Sequence, residues 1–187
     1  MFRDLLVREF APFGELSPRQ LEQLEAHYRL LCAWNRKLNL TRIVAEAEAV
    51  QLHYAESLYL GRFLPKPSLR IADVGSGAGF PGIPVAIYRP DCSVTLVESH
   101  QRKAVFLREA SRDIPNVRVL AERAEAVSGR FDWVISRAVS AESVVRLDLA
   151  PDLGLLLGQA DAGALNGTSE PLPWGESRVL FHVKRGN

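Results

Sequence analysis

The sequence predicts an α/β protein, a mostly parallel sheet with helices on both faces and a short helical extension at its N-terminal side. Two patterns carry this reading. From residue 68 onward, short apolar runs alternate with helix-spaced segments, and the runs are apolar on both faces, as strands covered on two sides must be. Before that point the chain shows only helical spacing. The expected division is therefore a helical extension over residues 1–67, packed on the core, and an α/β domain over residues 68–187. With 187 residues, the chain supports one substantial core and a small appendage.

Each element has a local cause. Ser17-Pro18-Arg19-Gln20 is a helix start, in which Ser17 caps, Pro18 supplies the fixed φ of the first turn and Gln20 completes a capping box. Leu21, Leu24, Tyr28, Leu31 and Leu38 then form one apolar face, and Asn39 and Thr41 end the helix in a turn. A second helix spans about residues 46–63, and Pro65 and Pro67 form a linker. Strands follow at 69–74, 93–97, 117–120, 131–135 and 154–157, with helical segments at 81–88, 101–112, 122–127 and 142–149 between them. Residues 158–175, rich in Gly and Ala and holding Pro171 and Pro173, read as loop, and 177–184 as a closing strand.

Composition narrows the function classes. A net charge of +1 excludes strong global attraction to nucleic acid or to an anionic membrane but leaves room for a local basic face. Two cysteines, Cys32 in a helical pattern and Cys92 beside a strand, do not make a disulfide framework. No stretch approaches 18 apolar residues, so the expectation is a soluble, cytoplasmic protein without a membrane partner. His27, His53, His100 and His182 lack metal-ligand spacing, and no metal is expected.

The chemistry concentrates in Asp73-Val74-Gly75-Ser76-Gly77-Ala78-Gly79, between a strand and a helix. Glycines there permit a sharp turn and close approach of backbone to a ligand, at the strand end where open α/β sheets bind ligands. A dinucleotide fingerprint fits poorly, because the turn begins at Gly75 and its third glycine would have to stand at Phe80. Pro81 and Pro84 further reduce the N–H groups available to a pyrophosphate. A phosphate-free nucleoside with a positive centre fits better, and S-adenosylmethionine is such a ligand. Asp73 would serve its cationic end, while Glu98, closing the second strand, would accept bonds from the ribose hydroxyls.

At this point a family resemblance emerges. Trp34-Asn35-Arg36-Lys37-Leu38-Asn39-Leu40-Thr41, His53-Tyr54-Ala55-Glu56-Ser57-Leu58 and the run from Ala72 through Gly75, Gly77, Gly79, Phe80 and Gly82 to Pro84 resemble the bacterial small-subunit rRNA guanine-N7 methyltransferases. Val97-Glu98-Ser99, Arg102-Lys103-Ala104, Arg123-Ala124-Glu125 and Phe131-Asp132-Trp133-Val134-Ile135-Ser136-Arg137-Ala138 extend the match, which covers about residues 20–145 in order. The resemblance implies a Rossmann-like S-adenosylmethionine-dependent sheet with a helical extension. It also implies methylation of N7 of a guanine in the decoding-region loop of 16S rRNA; whether that RNA is free or within the 30S subunit or its precursor stays open, and a monomer is expected. In this reading Gly75, Gly77, Gly79, Phe80 and Glu98 hold the cofactor, with Ala124 and Glu125 beside its adenine. Asn39, Lys103, Arg123 and Arg137 match polar positions lining the cofactor and target pocket. The match fades after about residue 150, where the lysine-glycine pair usual in the family is missing from Gly158-Gln159.

Guanine N7 carries no proton and is already nucleophilic, so methyl transfer to it needs alignment and not a general base. Arg137 is expected to fix the base or its phosphate, with Arg123 as the alternative for the same task and the donor methyl opening toward both. Phe80, inside the ligand loop, is a better candidate for stacking on the base than Trp34 or Tyr54, which read as interhelical core. Two other classes stay open at this level: a nicotinamide-nucleotide oxidoreductase and a catalytically inactive RNA-binding relative.

Overall fold

The computed structural model describes residues 1–65, 68–137, 139–163 and 165–185; Pro67 of the expected linker and Ala138 of the resembling motif lie outside them. Helix α1 (Phe2–Phe10) precedes α2 (Pro18–Leu38), which starts on the expected capping box: Gln20 N donates to Ser17 Oγ, and Ser17 N donates back to Gln20 Oε1. At its other end Asn39 adopts the left-handed conformation (φ 45°) that closes helices, so Asn39 stops α2 as expected. A continuous helical rod follows, built of α3 (Glu46–Ala49), a π-helical segment (Val50–Ala55) and α4 (Glu56–Phe63). Helical spacing alone does not distinguish this wider π turn from an α-helix.

The sheet comprises β1 (Arg70–Val74), β2 (Ser93–Val97), β3 (Val117–Leu120), β4 (Trp133–Arg137), β5 (Asp152–Gly158), β6 (Thr168–Pro171) and β7 (Arg178–Lys184). Their order is β3-β2-β1-β4-β5-β7-β6; the first five pair in parallel, and β7 and β6 are antiparallel additions. Between them lie α5 (Gly82–Tyr88), α6 (Gln101–Ala110), a 3-10 turn (Ala124–Ala126), α7 (Ala141–Arg146) and α8 (Gln159–Ala162). The 158–175 stretch is thus not simply a loop. It forms α8 and β6, and its Leu172 and Trp174 are buried, with Trp174 Nε1 donating to Glu9 on α1. Gly and Pro content concealed a strand whose side chains are all exposed and whose pairing depends on β7.

Strand parity decides which side chains meet which layer. Ile71 of β1, Trp133 and Ile135 of β4, Leu156 of β5 and Leu180 of β7 pack with the N-terminal helices, α5 and α6. Ala72, Val74, Val134, Leu153, Leu155, Val179 and Phe181 face α7 and α8. Asp73, Arg137 and Arg178 share the parity of the first set, so all three point toward the N-terminal helical layer. Arg89 ties that layer to the sheet's helices: it donates to the carbonyls of Gly61, Leu64 and Pro65 at the end of α4 while Asp91 holds its guanidinium.

Candidate active site

The bend after β1 is built as the glycine spacing requires. Gly75, Gly77 and Gly79 have φ of 73°, 55° and 89°, the region that side chains rarely adopt. Gly75 N and Ser76 N donate to Val97 O, pinning the bend to the end of β2. A side chain at two of the glycines would collide: a Cβ at Gly75 would lie 2.3 Å from Val139 Cγ2, and one at Gly79 would lie 2.6 Å from Ile83 Cδ1. At Gly77 it would meet nothing nearer than Gly75 O at 3.7 Å. The surface over Gly77 is therefore the open face of the bend.

Two carboxylates hold this loop. Glu98 accepts from Gly77 N (2.9 Å) through Oε2 and from His100 N (2.8 Å) through Oε1. Asp73 is fully buried on the α5 side of β1, where Oδ2 accepts from Gly82 N (2.9 Å) and Oδ1 has no partner. Burial pushes its carboxyl up to about 7. Asp73 therefore braces the loop from beneath and does not face the space above it, contrary to the expectation that it meets a ligand's cationic end. Strand parity, which places residue 73 with Ile71, is the reason.

With Gly75, Ser76, Gly77 and Gly82 amides already donating to the protein, the bend offers a pyrophosphate few N–H groups and adds carboxylate charge beside it. Acceptor-rich and open only above Gly77, it fits a cationic ligand with hydroxyl groups to donate. Glu98, with each oxygen bonded once, retains lone pairs for such hydroxyls.

Beside the bend, at the carboxyl ends of β4 and β5, lies a cleft of about 860 Å³ lined by Thr41, Arg42, His53, Arg137, Val139 and Arg178 among others. Val139 joins it to the bend, since the same side chain covers Gly75. Arg137 lies with its guanidinium 5.3 Å from the Phe80 ring centre, and Nη1 donates to Leu52 O (2.6 Å) in the π-helical segment. A π turn shifts the helix's own hydrogen-bond register, which is the setting in which Leu52 O meets a side-chain donor. Burial lowers Arg137 to about 10, so it remains cationic at neutral pH. Arg178 is clamped by Glu56, which is fully buried, through two bonds of 2.8 and 2.6 Å.

Other expected site residues do not meet here. Phe80 is buried against His27, His53 and Tyr54, so it is core and not a base platform. Its flanking glycines resemble a ligand contact, but His27, His53 and Tyr54 of the N-terminal helices cover the ring, and no local pattern marks that packing. Arg123 is exposed after β3, and β2 and β1 separate that strand from β4, a distance of about 14 Å at ~4.8 Å per strand. Arg123 and Arg137 therefore stand on opposite flanks of the bend, and only Arg137 lines the cleft. Ala124 is half-buried and Glu125 exposed on the 3-10 turn, beyond β2 from the bend, and Lys103 is half-buried on the first turn of α6. Asn39 is exposed, and its evident work is ending α2.

Asn35 does what was not foreseen. Its amide both donates to Thr41 O (3.0 Å) and accepts from Thr41 N (2.9 Å), and Thr41 Oγ1 meets His53 Nε2 (2.9 Å), fixing one wall of the cleft. His27 and Glu56 were likewise missed. His27 stands one helical turn from Leu24 and Leu31, and that spacing was the available signal.

Among the described residues no helix is long and apolar enough to cross a membrane, and no group of three or more His, Cys, Asp or Glu is placed to hold a metal ion.

Comparison with known proteins gives the lineage. Residues 20–153 match the model of the GidB family, rRNA small subunit methyltransferase G. The chain belongs to this family. It is 44% identical over 128 residues to ribosomal RNA small subunit methyltransferase G of Nitrosococcus oceani, covering 66% of this chain and 59% of that protein. The protein of the same name from Dichelobacter nodosus is 47% identical over 124 residues, covering 64% and 58%. The chain thus spans about three-fifths of the length of these relatives. In fold it is similar to a SAM-dependent methyltransferase from Aquifex aeolicus (TM-score 0.55, 13% identity, 72% of this chain and 91% of that one). It is similar also to magnesium protoporphyrin IX methyltransferase from Synechocystis (TM-score 0.54, 13% identity, 98% and 90%). These likenesses identify the fold as the Rossmann-like methyltransferase sheet.

Proposed function

We propose that this chain transfers a methyl group from S-adenosylmethionine to N7 of a guanine in the decoding-region loop of 16S rRNA. The single observation that carries the reading is the bend over Gly77, open above and held by Glu98, adjoining an arginine-lined cleft within a chain of this family. S-adenosylmethionine, when bound, supplies an electrophilic methyl on a sulfonium. Gly77 leaves room for the adenosine, and Glu98 accepts its ribose hydroxyls. Asp73 and His27 keep the loop in shape from below.

In the cleft Arg137 has one nitrogen committed to Leu52 O, and its remaining N–H groups can donate to guanine O6 without blocking N7. No group need take a proton, because N7 has none to lose. Catalysis then consists of holding base and donor in line and keeping water out. Arg178 is neutralised by Glu56, and Glu142 and Asp161 also line the cleft, so Arg42 and Arg137 are the groups left to meet RNA phosphate or base, and RNA binding weakens as salt rises. The target base must leave its stack to enter.

The test is incubation of the protein with labelled S-adenosylmethionine and 16S rRNA, free and in 30S particles, followed by nucleoside digestion. Label in 7-methylguanosine is expected; label in another nucleoside, or none on either substrate, overturns the proposal.

A further inference from the structure

His27, on α2, is fully buried beneath the bend and is bonded at both ring nitrogens. Nε2 lies 3.0 Å from Ala78 O, between Gly77 and Gly79, and Nδ1 lies 2.8 Å from the hydroxyl of Tyr54, on the π-helical segment. The chemistry of the partners fixes every proton. A carbonyl only accepts, so Nε2 must carry the hydrogen; a neutral imidazole then has Nδ1 free to accept, so the Tyr54 hydroxyl donates to it. Burial agrees with the neutral ring, lowering His27 to about 4 and raising Tyr54 well above its ordinary value.

This chain of bonds ends on the backbone of the ligand loop. Ala78 is the residue between the glycine with the open face and the glycine packed on Ile83, and Gly79 itself lies against the His27 ring, where a Cβ would come within 3.1 Å of Nε2. The other supports of the loop are residues of β1 and the end of β2: Asp73, Val97 O and Glu98. The side facing the N-terminal helices is held by His27, and the same ring touches Phe80 edge-on (5.2 Å between centroids).

We infer that His27 and Tyr54 are positioning residues for the cofactor: the Tyr54–His27–Ala78 hydrogen-bond chain sets the conformation in which the bend receives S-adenosylmethionine. The inference rests on the cofactor reading above. It assigns to the helical extension a part in ligand binding made through the backbone, without contact to the ligand.

Cofactor affinity of the full chain, measured by calorimetry, tests it alongside ¹⁵N NMR of the imidazole. His27→Leu keeps bulk but leaves Ala78 O unpaired in a buried site, and is expected to weaken S-adenosylmethionine binding about tenfold. His27→Gln restores an N–H donor at the position of Nε2 and is expected to bring affinity back to within about threefold of the parent. A merely structural role would not distinguish the two by cofactor affinity at matched thermal stability. The free parent protein is expected to show a single neutral tautomer protonated at Nε2 from pH 6 to 8. Tyr54→Phe, which keeps the ring, is expected to leave Nε2 protonated against the Ala78 carbonyl but to strip Nδ1 of its donor and to weaken binding about threefold, and it serves where His27→Leu fails to fold.

Equal affinity for all variants, a Gln variant as weak as the Leu variant, or a ring protonated at Nδ1 would overturn the inference. Failure of the parent protein itself to bind S-adenosylmethionine would instead strike the cofactor reading, and with it this inference, whereas the NMR result would still report on the hydrogen-bond chain.

Discussion

Replacing Gly77 by alanine separates the folding of the bend from its use. At φ 55° an alanine pays the left-handed penalty of about 1–2 kcal/mol, and no clash adds to it, because the nearest atom to the new Cβ is Gly75 O at 3.7 Å. For a chain of this size that corresponds to a fall in Tm of about 2–8 °C. The methyl group would stand in the space assigned to the adenosine, so affinity for S-adenosylmethionine is expected to fall at least about tenfold, and Gly77→Val, branched at a positive φ, to abolish binding. Gly79→Ala is the control. Its Cβ would lie 2.6 Å from Ile83 Cδ1 and 3.1 Å from His27 Nε2, so overpacking of about 1–3 kcal/mol joins the backbone strain and Tm is expected to fall further than in Gly77→Ala. Thermal denaturation and titration calorimetry on the three variants and the parent decide the matter. Binding by Gly77→Ala within about twofold of the parent would refute the reasoning, since the ligand could not then lie over that residue.

Three further outcomes follow from the same geometry. Arg137→Ala is expected to lower turnover more than cofactor affinity, because its side chain faces the cleft and not the open face of Gly77; a comparable loss in both, in single-turnover and binding assays, would reject that placement. Glu56→Ala leaves Arg178 half-buried without its partner and is expected to cost about 3–5 kcal/mol in denaturant titrations, whereas the double replacement Glu56→Leu with Arg178→Met is expected to recover most of it. Asp73 has its carboxyl raised from 3.8 to about 7 by burial, so its contribution to stability is complete below pH 3.8 and is lost as pH rises through about 7. Asp73→Asn, which keeps an acceptor for Gly82 N, is therefore expected to gain stability relative to the parent between pH 4 and 7.5; a difference that does not change with pH would contradict it.

What could be read from the chain was whatever has a local cause. The capping box at Ser17, the helix stop at Asn39, the strand–glycine–helix unit at residue 73 onward and all five parallel strands depend on neighbours in sequence, and each occurs within a few residues of its expected place. The misplacements have distant causes. Asp73 and Phe80 look like ligand contacts because they flank glycines, yet parity and the packing of α2 and the π-helical segment turn both inward. Arg123 and Arg137 look equivalent as basic residues after strands, and only the order β3-β2-β1-β4 sets them on opposite sides of the bend. Glu56 and Arg178 are 122 residues apart, and nothing in either segment announces their pairing. The π segment is invisible for a different reason: its residues are ordinary helix formers, and the extra residue in the turn emerges only when Leu52 O, His53 and Tyr54 each find partners on other elements.

Strand β7 enters the sheet between β5 and β6, and Arg178 at its start supplies a wall of the arginine cleft. On a ribosome the residues of the glycine bend and its carboxylates emerge with β1 and β2, some eighty residues before this last wall is synthesised. Without β7, β5 would be an unprotected border with a bare row of amides and carbonyls, and Glu56 would lack its counter-ion. The part of the chain proposed to receive the small ligand is thus older, in the life of each polypeptide, than the last wall of the cleft proposed for a nucleic acid.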